Sequence, residues 1–393
     1  MQRTGFFLGI VLFASGLRAQ ELPANANWLT KTPFLQVTGG VVIVTAQLAP
    51  FPDTLQFIFD TGSSGISLDS STAAYLGLRP VYSGQAIRGI AGIREVPFVN
   101  HRSLRIGGLK ADSLDFHVND YSVLTAVYGV RIDGIIGYSL LSRYLIAIDY
   151  EGGYMDWYEP GKFAYPRRGF LMKVRLDRLP SYPAQVQDLR LAQPNFLIDL
   201  GAGLNLLFSK RYAQETGILD LQRKRWIKSG EGIGGRIEME LTTLPSARIG
   251  PYRFRRIPIN IFEDTYNVTN YPDWAGLIGN DLLRRFNVVL NYPQKEIHLI
   301  PNRYFADPFD YSYSGLELYL IADKILVGYI APGSPVEAAG LKVGDEVVAI
   351  NKNFSGILNE YKIELQKAGQ KVRIIYRRDE KIGELEFRVL RIR

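Results

Sequence analysis

The chain has 393 residues, 47% of them hydrophobic and 22% charged, with a formal net charge of +7, three histidines and no cysteine. That length allows two or three domains, each with a core of its own, and the missing cysteine excludes thiol catalysis, disulfides and cysteine metal sites. The positive charge is scattered in short clusters such as "RKRWIK" at 223–228, with no long basic run interleaved with aromatics, so a nucleic-acid partner is not expected.

In chain order, Arg3 precedes fourteen uncharged, mostly apolar residues, Thr4 to Leu17, followed by "RAQE". This pattern predicts a secretory signal peptide over 1–19, cut near Ala19, and is short of the roughly 20 residues a membrane span needs. No later run is long and apolar enough to span, so the mature protein is expected to be exported, periplasmic or extracellular, and free of the membrane.

The first chemical signal is "FIFDTGSSGISLD" at 57–69, where either a serine or Asp60 could be the reactive group. A serine nucleophile needs a histidine base held by an acid, and His101, His117 and His298 lie in no triad motif; Ser63 and Ser64 also lack the G-x-S-x-G elbow. Neither H-E-x-x-H nor G-x-x-x-x-G-K-[ST] occurs, so zinc-peptidase and P-loop chemistry have no footing, and no metal or other cofactor is expected. A lone D-T-G would read as a turn in which the carboxylate caps backbone amides.

A repeat changes that reading. "FIFDTGSSGISL" returns as "FLIDLGAGLNLL" at 196–207, which sets Asp60 against Asp199 at an offset of 139. "RGIAGIREVPF" resembles "EGIGGRIEMEL" at 143, and "SLRIGGLKADSLDFHV" parallels "SARIGPYRFRRIPINI" at the same offset. "DGIIGYSLLSRYLIAIDYEGGYMDWYEP" matches "AGLIGNDLLRRFNVVLNYPQKEIHLIPN" at 142. Four blocks in one order predict two homologous halves; two copies are too few for a solenoid. Each half reads as mainly β, with apolar strands running into glycine turns and one short helix, "YSLLSRY" or "NDLLRRF". "GEGIGG" formally satisfies G-x-G-x-x-G, but a strand pattern follows it where dinucleotide binding would need a helix.

Two carboxyls a few ångströms apart cannot both ionise, so one can give a proton while the other takes one, which is what peptide hydrolysis without a metal requires; pepsin is the established example of such a pair. The motifs D60-T-G-S-S, D199-L-G-A, I135-I136-G137 and L277-I278-G279 make the chain resemble a two-lobed aspartic protease of the pepsin and retropepsin class. It is most similar to exported bacterial aspartyl proteases carrying a C-terminal PDZ domain, over about residues 30 to 393. The resemblance implies two facing β lobes, 28–160 and 161–302, with Asp60 and Asp199 as the dyad that activates water. Thr61, Gly62, Ser63 and Gly201 would support the catalytic turns, with the Ser63 hydroxyl bonding the Asp60 carboxylate or serving only as a turn residue. Gly89, Ile90 and Gly92, and Gly232, Gly234 and Gly235, would sit in hairpin flaps over the cleft.

Two departures stand out. Leu200 occupies the position where the family has threonine, so the hydroxyl brace between the two turns is expected on one side only, through Thr61; Leu200→Thr would then be expected to stiffen the dyad. No tyrosine marks the tip of the first flap. A non-catalytic, peptide-binding relative is therefore the alternative to an active endopeptidase.

After "HLIPN", the run "RYFADPFDYSYS" reads as a linker at 303–312, and 313–393 resembles a PDZ domain through "SGLELYL", "LVGYIAPGSPVEAAGLKVGDEVVAIN" and "VRIIYRR". That resemblance implies an α+β module in which the loop Gly315, Leu316, Glu317 and Leu318 takes a peptide C-terminus, the alternative being a purely structural domain that packs against the lobes without a ligand. Glu317 inside that loop disfavours a free carboxylate. The expected partners are a peptide or protein substrate and a PDZ peptide ligand, with the chain itself a monomer.

Overall fold

The computed structural model describes residues 24–89, 92–232, 235–266 and 274–392. The predicted signal segment, Ile90 and Gly234 lie outside the described residues.

The fold is mainly β, as predicted. Apolar strands pass through both halves of the chain because alternate residues point into a shared core, from Val42, Phe57 and Phe116 in the first half to Phe196, Phe208 and Ile259 in the second. In the first half, Leu55–Phe59 lies parallel to Gly134–Ile136, with Phe57 opposite Gly134. Ile66–Asp69 runs antiparallel to that same strand and parallel to Leu109–Asn119. The second half repeats the arrangement. Asn195–Asp199 is parallel to Trp274–Gly279, while Leu206–Ser209 is antiparallel to it and parallel to Tyr252–Phe262. Parallel neighbours cannot be joined by a tight hairpin, so in each half the chain makes a long excursion before it returns beside the strand that carries the aspartate. That excursion contains the long hairpin of each half: Val81–Gly89 with Gly92–Ile106, and Trp226–Gly232 with Gly235–Ile249.

The returning strands cross at very short range. A Cβ on Gly134 would fall within 3.0 Å of the Ser67 carbonyl and of Phe57, and one on Gly276 would strike the Leu207 carbonyl, so only glycine fits where "DGIIG" and "AGLIG" begin.

The halves are sewn together by one shared sheet. Leu145–Asp149 pairs antiparallel with Phe286–Asn291, Val288 facing Ile148 and Leu290 facing Ile146; Glu296–Pro301 and Phe170–Lys173 extend it. This explains why "LIAID" and "NVVLN" are apolar on both faces: they lie between strands inside the protein.

Helices are more numerous than the one per half expected. Besides Tyr138–Leu141 and Asn280–Leu283, the chain forms Ser70–Tyr75, Ser122–Tyr128 and Lys210–Thr216. Two of these are started by side-chain caps that the strand pattern hides: Asp69 accepts from the Ser71 and Thr72 amides, at 2.9 and 3.1 Å, and Ser209 from the Tyr212 amide at 3.3 Å.

Residues 303–312, read from the sequence as a linker, are packed against the second half. Phe305 stacks on Tyr252, Phe254 and Phe286, and the buried Arg285 donates to the carbonyls of Tyr304 and Asp307. Aromatic residues in this stretch bury too much apolar surface to stay in solvent. Beyond it, Leu316–Ile321, Lys324–Ile330, Glu346–Ile350, Lys371–Arg378 and Lys381–Arg388 form a five-stranded antiparallel sheet. Helices Pro335–Ala338 and Leu358–Leu365 accompany it, and Leu318, Val327, Val336, Tyr361 and Ile374 share a core separate from the main one.

Candidate active site

Each aspartate closes a strand and opens a turn. Asp60 follows Leu55–Phe59 and its amide donates to the Ile136 carbonyl at 2.9 Å; Asp199 ends Asn195–Asp199, opposite Gly279. The turns meet face to face. A Cβ on Gly62 would lie within 3.0 Å of the Asp199 carboxylate, and a Cβ on Gly201 within 3.0 Å of the Asp60 carboxylate. Glycine is thus required at both positions by the approach of the opposite acid. Gly62 N–H donates to Asp60 Oδ1 at 2.6 Å; Gly201 and Ala202 N–H donate to Asp199 Oδ1 at 2.9 and 3.1 Å.

Behind them sits half of a reciprocal brace. Thr61, fully buried, donates from its hydroxyl to the Ile198 carbonyl at 2.7 Å and accepts from the Leu200 amide at 2.9 Å. One hydroxyl thus ties its own turn to two backbone groups of the other. Leu200 gives no return bond; its side chain is buried in the main core. The expectation that Leu200→Thr would stiffen the site is revised accordingly, because that change removes apolar packing as well as adding a hydroxyl. Ser63 takes the turn role: its hydroxyl points to the Gly65 carbonyl at 3.5 Å, while its backbone N–H acts on Asp60.

Burial raises both carboxyls above the usual aspartate range, Asp60 the more strongly. For Asp60 the Asp199 charge adds to desolvation, and the amides of Gly62 and Ser63 only partly oppose it. Asp199 is held lower by the Asp60 hydrogen bond and by the amides of Gly201, Ala202 and Gly62, which stabilise a negative charge. The pair therefore keeps one proton after an isolated aspartate would have lost it.

The acids open into a cleft of about 820 Å³, bordered by Gly89 of the first long hairpin and by Gly230, Glu231 and Gly232 of the second. Gly89 pairs with Gly92 and Gly232 with Gly235, which puts the described glycines of both candidate flaps at the ends of long hairpins. The first hairpin is open to solvent, with Val81, Tyr82 and Ile93 each more than half exposed.

Several cleft residues were not singled out from the sequence. His117 and Asn260 hold matching places in the two halves, opposite Ser67 and Leu207 in their sheets, and both line the cleft. The 143-residue offset between "SLDFHV" and "RIPINI" already carried that equivalence. Burial pushes His117 down to about 4, so its ring is neutral at ordinary pH. Tyr128 lines the cleft and Tyr292 lies behind it; burial, reinforced by the charges of Asp60 and Asp199, raises both phenols. Tyr128 belongs to no repeated block, whereas Tyr292 matches Tyr150 at the 142-residue offset, a signal the sequence already carried.

The residues singled out in the C-terminal module divide. Glu317 lines the cleft itself. Gly315 (φ +77°) and Leu316 border a smaller recess of about 130 Å³, and the Leu316 amide is bonded to Ser314 Oγ at 3.2 Å. Leu318 is buried in the module's core. Among the described residues no group of three histidines or acids is placed to hold a metal.

No curated protein matches the chain. The stretch that carries Asp60, Thr61, the first long hairpin and the glycine strand beside the dyad does match a family: residues 52–140 fit the family model described as Aspartyl protease.

Proposed function

We propose that this protein is an exported aspartic endopeptidase that hydrolyses peptide bonds through Asp60 and Asp199. The observation that carries the reading is the interlock of the two turns, in which Gly62 and Gly201 each fit only because the opposite acid takes the place of a side chain. In this reading 28–160 and 161–302 are two protease lobes, 303–312 joins them to a PDZ domain at 313–393, and 1–19 is a signal peptide.

The chemistry follows from the unequal carboxyls. A water held between them loses a proton to the Asp199 carboxylate as its oxygen bonds to the peptide carbon, and Asp60 gives its proton to the carbonyl oxygen. The resulting tetrahedral diol collapses as the amine leaves with a proton returned by Asp199, while a hydroxyl proton goes back to Asp60, so the pair is restored with one proton. Burial that favours the singly protonated pair thus favours the reactive state.

The test is cleavage of a diverse peptide pool by the chain from residue 20 onward, between pH 3 and 8, beside Asp60→Asn and Asp199→Asn. Each substitution removes a proton donor or acceptor and is expected to lower kcat by at least about 10³-fold. Cleavage that persists in both variants would sink the dyad mechanism. Binding without cleavage by the unsubstituted protein would favour the peptide-binding alternative, for which the missing half of the brace at Leu200 is the supporting observation.

A further inference from the structure

The C-terminal module is not held at arm's length. Glu317 and Tyr319, on its first strand, and Lys362, on its second helix, line the same cleft as Asp60 and Asp199. Three sets of contacts fix it there.

The first set grips the second long hairpin close to its tip. Tyr319 donates to Glu231 at 2.5 Å; Arg236 donates to Glu231 at 2.9 Å, to the Tyr319 hydroxyl at 3.1 Å and to the Gly328 carbonyl at 3.2 Å. Tyr329 adds a bond to Glu238 at 2.6 Å. The second set is apolar: Leu241 of that hairpin is buried with Tyr313, Ala331 and Ile392 of the module, and the Tyr313 hydroxyl reaches the Ile227 carbonyl at 2.9 Å.

The third set reaches the first half. The helix Ser122–Tyr128 lies against the strand Leu316–Ile321. Lys362 donates to the Val127 carbonyl at 2.6 Å, Asn359 pairs with Thr38 at 3.1 Å, and Leu358 packs on Gly129 at the helix end. The strand and the helix that would flank a peptide in the module's groove therefore both face this segment of the same chain. A recess of about 130 Å³, bordered by Gly315 and Leu316, lies beside it.

We propose that the module is a fixed wall of the catalytic cleft. Its Glu317, Tyr319 and Lys362 contact the substrate and set its preference, and its own groove is closed in cis by the helix Ser122–Tyr128. The proposal rests on the cleft being the peptide-binding site. It makes the two hairpins unequal: the second is pinned in place by the module, while Val81, Tyr82 and Ile93 of the first stay open to solvent.

The chain's lack of cysteine gives a direct test. A Cβ on Gly129 would lie 3.3 Å from the Leu358 Cβ, just inside the usual spacing of a disulfide, so Gly129→Cys with Leu358→Cys should cross-link module to cleft on oxidation, at a cost in backbone strain because Gly129 has φ +69°. Cleavage of the peptide pool, and binding of a peptide whose scissile amide is reduced to an amine, would be compared before and after oxidation. Glu317→Gln and Lys362→Gln, without the cysteines, would be compared with the unsubstituted chain on the same pool.

The expected result is a cross-link that leaves kcat/KM and peptide affinity within about twofold, while the Glu317 and Lys362 variants change the ranking of peptides by about fivefold or more. Loss of binding on oxidation, regained with reductant, would mean the module must swing away, and would overturn the proposal. So would side-chain variants with unchanged rankings. If nothing is cleaved but peptides bind and these binding results hold, the endopeptidase reading falls and the wall stands.

Discussion

Thr61 does the work that two residues share in a symmetrical brace. Its hydroxyl both donates across the dyad and accepts from it, so Thr61→Val keeps the shape while leaving the buried Leu200 amide without its partner. A buried donor left unsatisfied costs about 1 to 3 kcal/mol, and the lost donation to Ile198 adds to that. We expect Thr61→Val to lower the unfolding free energy by about 2 kcal/mol or more in urea titration at pH 7; a change below about 0.5 kcal/mol would mean that the brace does not hold the turns. Leu200→Thr tests the other side. A new hydrogen bond is worth about 0.5 to 1.5 kcal/mol, while full burial of a leucine side chain is worth about 1.5 to 3 kcal/mol. A net loss of about 1 kcal/mol is expected, and a higher Tm would show that the reciprocal bond forms. From the sequence, the dyad and Thr61 were legible because they repeat or sit in a named motif. The burial of Leu200 was not, because an apolar residue in a turn can face either core or solvent.

At the scale of elements, the site depends on two strand-to-turn units approaching within one side chain's width. Gly201→Ala places a methyl carbon against the Asp60 carboxylate, which must drive the turns apart. Displacement of a catalytic group by about 1 Å can cost about 10²-fold, so kcat should fall by that order while far-ultraviolet circular dichroism is unchanged. Unaltered kcat would mean that the turns have slack. The strands, the two hairpins and the helices after "IIG" and "LIG" could all be read from period and glycine punctuation. The helices Ser70–Tyr75, Ser122–Tyr128 and Lys210–Thr216 could not. They are short, and the caps that start two of them lie at the ends of strands, where Asp and Ser are equally at home in turns. The packing of 303–312 was missed for a similar reason: its aromatics are spaced like a linker and find partners only in strands distant in sequence.

For the molecule as a whole, the dyad links stability to pH with a definite sign. Both acids titrate higher in the folded protein than in an unfolded chain, where aspartate lies near 3.9. Folding therefore takes up protons through this pair. Its contribution is fully present below about pH 4 and is lost as pH rises through the raised folded values. Asp60→Asn removes a carboxyl whose ionisation burial penalises, so the variant should melt above the unsubstituted protein at pH 7, with the gap closing toward pH 4. A variant less stable at pH 7, with no change in the gap on acidification, would contradict the raised values. The sequence by itself determined the mainly β class, the duplication, and the pairing of Asp60 with Asp199, because hydrophobic period, glycine positions and repeat offsets are local or translational patterns. Only the tertiary structure decided that one threonine braces both turns, that burial makes the two acids hold on to a proton, and that Glu317, Tyr319 and Lys362 stand at the wall of the cleft. Each of these depends on desolvation and contact between segments far apart in the chain, and no pattern within a single segment encodes them.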